Sequence, residues 1–221
     1  DVLRLTSECA EVARSRNLAG SEWLAQEVRD QGYECETYLF PVRAEAGSIL
    51  PLPDAKRLQV LCYIPDQAAV LHGGPEIIAA ATRCAQIDFT IVGGTGTWCD
   101  APPANVTFMG WVDDVNAHIA SSHVVLRRTR HDSFSALVRE ALLAGRHVIF
   151  TYPVSGAVFV KSGETDGLVA SLQEKAGALE SGELTTNVLP RAMRDLLSNT
   201  EAQAVSLAHA LSSRETREVA R

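Results

Sequence analysis

Short apolar runs alternate with segments of helical periodicity through most of the chain. The runs are flanked by Gly and Pro, which predicts buried strands; they lie at Gln59–Ile64, Phe89–Val92, Val106–Met109, Val124–Leu126 and Val148–Phe150. Helix-like segments follow Pro75, cover Asp113–Ser121, and end at the stop residue Gly145. This alternation predicts an α/β fold, a Rossmann-like parallel sheet with helices on both faces.

The first 42 residues show the same alternation as a separate, incomplete set. Residues 1–16 are helix-like, and the short stretch NLAGS predicts a strand end. Ser21 is a candidate N-cap of the next helix, Gly32 is its candidate stop, and Glu34–Val42 alternates like a strand. Residues 43–58 contain several turn-forming residues and no clear period, so they predict a linker.

The carboxyl-terminal region has a weaker pattern. Residues 156–167 are rich in loop-forming residues, and Leu168–Lys175 predicts a helix. Helical periodicity returns from Pro190 onwards, with an interruption near Ser198 and Asn199.

Composition narrows the classes of function. Apolar residues make up 46% of the chain, enough for a full core, and the net charge of −7 argues against a general nucleic-acid surface. The five cysteines form no CxxC pair and predict free thiols. The sequence contains no transmembrane or signal-peptide pattern.

Glycines and polar residues concentrate where the predicted strands end. Parallel sheets bind ligands outside the carboxyl ends of their strands. The loops at those ends are Pro65–Gly74, Gly93–Gly96, Gly110–Trp111, Arg127–Ser135 and Tyr152–Gly156. We therefore expect the ligand site along this one edge.

The loop after Leu126 is the most distinctive of these segments. It places three arginines and His131 before a predicted helix N-terminus, where free N–H groups and the helix dipole favour an anion. Arg127 and Arg130 are the best phosphate candidates, because Arg127 and Arg128 should point to opposite sides of a strand end. The alternative is a solvated rim of arginines, and His131 could be solvated too.

The spacing of two acids in this segment matches a known family. Asp132 and Glu140 are separated by seven residues and followed by Ala, Gly145 and an apolar strand. With the upstream FTIVGG and NVTFMGWV stretches, this arrangement resembles the donor-binding, carboxyl-terminal domain of GT-B glycosyltransferases of the family 4 type. Residues 3–42 resemble the end of the partner domain.

The resemblance implies a domain organisation. Residues 1–45 would be a remnant of the amino-terminal, acceptor-binding domain, and residues 46–57 a linker. Residues 58–197 would bind the donor, and residues 198–221 would form a helix that returns to the amino-terminal part. Most of the partner domain would be missing, so we expect poor turnover by this chain alone.

The resemblance also implies roles for the two acids. Asp132 would contact the donor sugar, and Glu140 would accept hydrogen bonds from ribose hydroxyls, as a carboxylate can. The alternatives are an ordinary N-cap or turn aspartate and a solvated helix glutamate.

Further donor contacts are implied around these acids. Backbone N–H groups of Ser133, Phe134 and Ser135 would face the diphosphate, and Gly93 and Gly94 would allow close backbone approach. Trp111, after Met109, would pack on the base; core packing of both is the alternative.

The sequence departs from the family in its cations. The stretch YIPDQAAVLHGGPE lacks the Arg and Lys that many members carry there, and His72 is a weak substitute. Arg127, Arg128 and Arg130 could supply the charge instead. No DxD motif or metal-ligand spacing is present, so we predict no metal and no cofactor besides the donor substrate.

The leading prediction is a retaining glycosyltransferase that moves a sugar from a nucleoside diphosphate to an acceptor hydroxyl. The partners would be a nucleotide sugar, a carbohydrate or lipid-linked acceptor and the missing domain, with no nucleic acid. We expect a role in surface polysaccharide synthesis, in the cytoplasm or at the inner face of its membrane. The alternatives are a non-catalytic, nucleotide-sugar-binding or assembly domain, and a dinucleotide oxidoreductase, which the lack of GxGxxG disfavours.

Overall fold

The computed structural model describes residues 17–40, 42 and 49–198. Within these residues the chain divides into two compact units. The N-terminal unit comprises residues 17–40 and 42, the segment Asp132–Ala136 and residues 195–198, and the sheet unit comprises residues 49–131 and 137–194.

A strand–helix–strand motif forms the N-terminal unit. Strands β1 (Asn17–Ala19) and β2 (Cys35–Thr37) pair in parallel around helix α1 (Glu22–Asp30). Ser21 caps α1 by accepting the N–H of Leu24 at 3.3 Å, and Gly32 follows it with φ 88°. The predicted cap and stop are confirmed. The predicted strand over 34–42 is wrong in length, since only three residues pair.

Six parallel strands form the sheet of the second unit. They run in the order β5-β4-β3-β6-β7-β8, so the chain starts at the centre and turns back at β6. The strands are β3 (Gln59–Tyr63), β4 (Asp88–Val92), β5 (Val106–Gly110), β6 (Val124–Arg127), β7 (His147–Phe150) and β8 (Ala157–Phe159).

In the part of the chain that the structure describes, three α-helices lie between strands of this sheet along the chain, and two follow its last strand. They are α2 (Gly74–Arg83), α3 (Val115–Ala120), α4 (Ala136–Leu143), α5 (Thr165–Glu180) and α6 (Arg191–Ser198). Pro75 lies in the first turn of α2, where its missing N–H costs nothing, and Asp114 caps α3 through the N–H of Asn116.

Both faces of the sheet are buried, as strands without polar alternation require. Val60, Cys62 and Val124 lie in one apolar cluster with residues of α2 and α5. The intervening side chains, such as Leu61 and Val125, are equally buried. The predicted α/β fold with a Rossmann-like parallel sheet is confirmed.

One carboxyl-terminal prediction was wrong, since the segment 156–167, predicted as loop, contains strand β8. The helix predicted at Leu168–Lys175 is confirmed as α5, which is longer and covers 16 residues. The predictions for residues 1–16, for 43–48 and beyond Ser198 lie outside the described residues. The proposed domain boundaries stay a prediction. Among the described residues, no helix combines the length and apolar character needed to cross a bilayer.

Candidate functional site

Arg127 ends strand β6 at the carboxyl edge of the sheet. Its guanidinium lies 5.5 Å from the ring centroid of Tyr63, at the end of the neighbouring strand β3. Its Nη1 lies 3.0 Å from Nδ1 of His72, in the loop before α2. Two side chains of the same unit therefore hold this cation at the predicted ligand edge.

Gly93 determines where the Tyr63 ring can lie. Gly93 has φ 93°, and a Cβ built there would lie 2.5 Å from Cε2 of Tyr63. Glycine is thus required here on two grounds, the backbone conformation and the close approach of the ring. In this structure Gly93 makes room for Tyr63, while its predicted contact with a donor stays a prediction.

The loop after Gly94 folds around the carboxylate of Asp66. The N–H groups of Thr95 and Gly96 donate to Asp66 at 3.0 and 2.9 Å, and the Thr95 hydroxyl donates at 3.1 Å. These bonds, led by that from the Thr95 backbone, lower the pKa of Asp66. A Cβ at Gly94 would lie 2.6 Å from the carbonyl oxygen of Ile64.

Arg128 points into the protein. Its side chain is fully buried, pairs with Glu76 of α2 at 2.9 Å, and donates to the carbonyls of Val160 and Lys161. The expected alternation of Arg127 and Arg128 is confirmed, and Arg128 is neither a solvated nor a phosphate-binding arginine.

Arg130 and His131 continue this loop and are exposed. The Arg130 backbone N–H donates to the carbonyl of Leu71 at 2.9 Å. Trp111 is 77% exposed after β5, and Met109 is 48% exposed, so the alternative of core packing is wrong for both. The predicted donor roles of Arg130, His131 and Trp111 stay predictions.

The segment that follows His131 belongs to the N-terminal unit. The carbonyl of Asp132 accepts from the indole N–H of Trp23 at 2.8 Å, and its carboxylate accepts the N–H of Ser133 at 2.9 Å. The N–H of Phe134 donates to the carbonyl of Gly20 at 3.2 Å. Two N–H groups predicted to face a diphosphate therefore have partners here, and an anion would have to replace them.

Glu140 lies in the second turn of α4, as predicted, because that helix begins at Ala136. It is half-buried, whereas Ser135 is 8% exposed. The predicted residues thus divide between the units. The sheet unit holds Gly93, Gly94, Trp111, Arg127, Arg130, His131 and Glu140, and the N-terminal unit holds Asp132, Ser133, Phe134 and Ser135.

Sequence reasoning missed Tyr63 and Asp66. Neither residue belongs to a motif, and their contacts with Arg127 and Thr95 span large separations along the chain. The available signal was their position at the end of β3, on the edge already marked as the ligand edge. Within the described part of the chain, no three His, Cys, Asp or Glu side chains converge as metal ligands would.

A family model described as "Glycosyl transferases group 1" matches residues 68–186, more than half of the chain. The chain belongs to this family of glycosyltransferases. No curated protein sequence matches the chain.

Solved structures show the same GT-B fold. HepE of Anabaena, in complex with UDP-glucose, superposes with a TM-score of 0.73 at 16% identity, over 96% of this chain and 67% of HepE. Sucrose-phosphate synthase of Thermosynechococcus elongatus gives 0.73 at 14% identity, over 98% of this chain and 63% of that protein.

The lipopolysaccharide outer core galactosyltransferase WaaB gives a TM-score of 0.61 at 17% identity, over 84% of this chain and 56% of WaaB. The chain thus spans between about half and two thirds of the proteins it superposes on. At such low identities these superpositions establish the fold alone.

Proposed function

We propose that this chain is the donor-binding half of a retaining glycosyltransferase that uses a nucleoside-diphosphate sugar. The observation that carries the proposal is the held cation Arg127 at the carboxyl edge of a parallel sheet, within the stretch that matches the family. Parallel sheets bind nucleotides at this edge. The similar protein HepE carries UDP-glucose.

The chemistry needs charge neutralisation at the leaving diphosphate. A positioned guanidinium stabilises negative charge that grows as the glycosidic bond to the phosphate breaks. In this proposal Arg127 supplies that stabilisation, with Arg130 as a second cation. Glu140 accepts from the ribose hydroxyls, and Asp132 contacts the donor sugar. The anomeric configuration is retained.

The proposed reaction needs no metal ion or other cofactor. The test is to titrate UDP into the protein once with EDTA and once with MgCl2, each at about 5 mM. This concentration is chosen to saturate a Mg²⁺ site formed by carboxylate and phosphate groups. We expect the same dissociation constant in both. Binding that is abolished by EDTA and restored by Mg²⁺ would contradict the proposal.

Two features support the proposed biological setting. They are the arginine-rich loop and the fold shared with a lipopolysaccharide outer core galactosyltransferase. We propose an acceptor that is a carbohydrate or lipid-linked sugar, in surface polysaccharide or glycoconjugate synthesis at the cytoplasmic face of the membrane.

Calorimetry with UDP, GDP, ADP and their glucose or mannose conjugates tests donor binding. One base should bind to the wild-type protein, and Glu140→Ala should weaken it about tenfold or more, the effect of losing bonds to a charged group. Glu174→Ala, in which an exposed acid of α5 is removed, is the matched control and should bind like wild type. A folded protein that binds none of these nucleotides would refute the proposal.

A second function has specific support, namely a non-catalytic nucleotide-sugar-binding or assembly domain. The loop after β3 lacks Arg and Lys, and the N–H groups of Ser133 and Phe134 have partners within the chain. Donor hydrolysis distinguishes the two functions. Activity that falls in Glu140→Ala favours the transferase, and binding without turnover favours the second function.

A further inference from the structure

The contact between Arg127 and His72 fixes the chemical state of the imidazole. A guanidinium carries only donors, so Nδ1 of His72, 3.0 Å from Nη1 of Arg127, must be the acceptor. A hydrogen bond across this contact requires an unprotonated Nδ1, that is, a neutral ring with its proton on Nε2. At this position His72 contributes an acceptor to its neighbour rather than a positive charge.

Tyr63 meets both members of this pair. Its ring carries the Arg127 guanidinium at 5.5 Å and contacts the His72 ring edge-on, with centroids 5.5 Å apart. A cation over an aromatic face is attracted by the ring quadrupole. Gly93 leaves the space in which the ring lies. The guanidinium is thus held by a hydrogen bond and by an aromatic face.

Other anion-binding groups of this edge have partners within the sheet unit. The N–H groups of Thr95 and Gly96 converge on Asp66, and Arg128 is buried on Glu76. The loop after β3 contains His72 but no Arg or Lys. Arg127 is therefore the strand-end cation whose orientation matters most for an anion at this edge.

We propose that His72 and Tyr63 are positioning residues that hold Arg127 ready for the donor diphosphate, with His72 acting as a neutral acceptor. This inference rests on the proposed function. A free arginine side chain loses rotamer entropy when it becomes ordered on a ligand. Fixing it during folding removes that cost from nucleotide binding.

Titration calorimetry with UDP and with inorganic pyrophosphate tests the role of His72. His72→Ala removes the acceptor and should weaken both ligands about five- to tenfold, the effect of one charge-assisted hydrogen bond. His72→Asn places an amide oxygen near the position of Nδ1, and should bind within about twofold of wild type. His72→Asn as weak as His72→Ala would overturn the inference.

The link to Arg127 is tested by a double-mutant cycle. Arg127→Ala should weaken UDP about 50-fold, and adding His72→Ala to it should cause no further loss, because the two residues act as one unit. Independent losses that multiply would show that His72 acts without Arg127, and would overturn the inference. For the ring, Tyr63→Phe should bind like wild type and Tyr63→Leu about threefold more weakly.

The tautomer gives a readout that does not need a nucleotide. Long-range ¹H–¹⁵N spectra of the ligand-free protein should show His72 with an unprotonated Nδ1 and a protonated Nε2, and Arg127→Ala should change the Nδ1 shift. A protonated Nδ1 in the wild-type protein would overturn the inference directly. If the wild-type protein binds none of UDP, GDP, ADP and pyrophosphate, the proposed function fails; if it binds one of them and His72→Ala binds it equally well, only the inference fails.

Discussion

The sheet unit contains two histidine–arginine pairs, one at each edge of the same sheet. At the carboxyl edge, half-buried His72 and Arg127 contact each other and Tyr63. At the amino edge, His123 precedes β6 and Arg146 precedes β7, and both are completely buried. The residue types are the same, but the partners are not.

The amino-edge pair binds the backbone. His123 accepts the N–H of Gln59 at 3.0 Å through Nδ1 and contacts the carbonyl of Pro53 at 3.1 Å through Nε2. Arg146 donates to the carbonyl of Pro51 at 2.7 Å. Burial lowers the pKa of both side chains. These residues attach the segment 51–53 to the sheet and therefore have a structural role.

The comparison shows that residue type alone does not identify a site. A buried side chain that satisfies main-chain groups contributes to stability, whereas a half-buried one held by other side chains is presented at the surface. Mutations at the amino edge should therefore lower the free energy of unfolding, and mutations at the carboxyl edge should lower nucleotide affinity.

The largest effect on stability should come from replacing Glu76. This change extends the comparison to a third arginine, Arg128, which pairs with Glu76. Glu76→Ala leaves Arg128 as a buried cation without its carboxylate, which should lower the free energy of unfolding by about 3–5 kcal/mol. Asp166→Ala is the matched control, because its pair with Arg83 is largely exposed and should contribute less than about 1 kcal/mol. Urea unfolding measures both, and equal losses would contradict a structural role for Arg128.

Replacing the two histidines compares the edges directly. His123→Ala removes a buried ring and leaves the N–H of Gln59 without its acceptor, which should cost about 3 kcal/mol of unfolding free energy. His72→Ala should cost less than about 1 kcal/mol, because its ring is half-buried. Chemical denaturation gives both values. A reversed order would mean that the edges have been assigned the wrong roles.

Replacing Gly93 and Gly163 in turn distinguishes the effect of backbone strain from the effect of contact with Tyr63. Their φ angles are 93° and 89°, but a Cβ at Gly163 would meet nothing within 4 Å. Gly163→Ala should cost about 1 kcal/mol through backbone strain, and Gly93→Ala about 2 kcal/mol more, because the Tyr63 ring must move. Thermal unfolding measures the difference, and UDP affinity should fall in Gly93→Ala alone.

The smallest effect should be a pH dependence. The pKa of His123 is lowered in the folded protein, so the unfolded chain binds a proton more readily, and stability must fall as pH drops below about 6.5. His147, whose pKa burial also lowers, adds to the same slope. The loss of unfolding free energy between pH 7 and 5 should be on the order of 1 kcal/mol, since one pKa unit corresponds to about 1.4 kcal/mol. The loss should be smaller in His123→Asn. An unfolding free energy that rises on acidification would contradict this sign.

The sequence predicted the central sheet because its strands are buried on both faces. Val124–Leu126 and Val148–Phe150 are apolar without interruption, and Gly145 and Pro153 bracket the second run. Strand β8 was not predicted, because its three residues form a half-exposed edge strand between turns at Gly156 and Gly163. A short edge strand has too few buried positions to show a pattern.

The candidate site was predictable only as far as local rules reach. The opposite orientations of Arg127 and Arg128 follow from strand geometry, and that prediction was confirmed. The partners of Arg127 lie 64 and 55 residues away and were not predictable, because no local rule specifies them. The functions assigned to Asp132 and Glu140 stay predictions that rest on the family resemblance.

The carboxylate of Asp66 is an anion within the chain that binds the N–H groups of the glycine-rich turn. In phosphate-binding turns of other proteins, successive amides converge on an incoming anion and gain order when it arrives. Here a side chain of the same polypeptide occupies that concavity before any substrate is present. The turn is thus held by hydrogen bonds within the chain, and we expect its shape to be the same whichever nucleotide is bound.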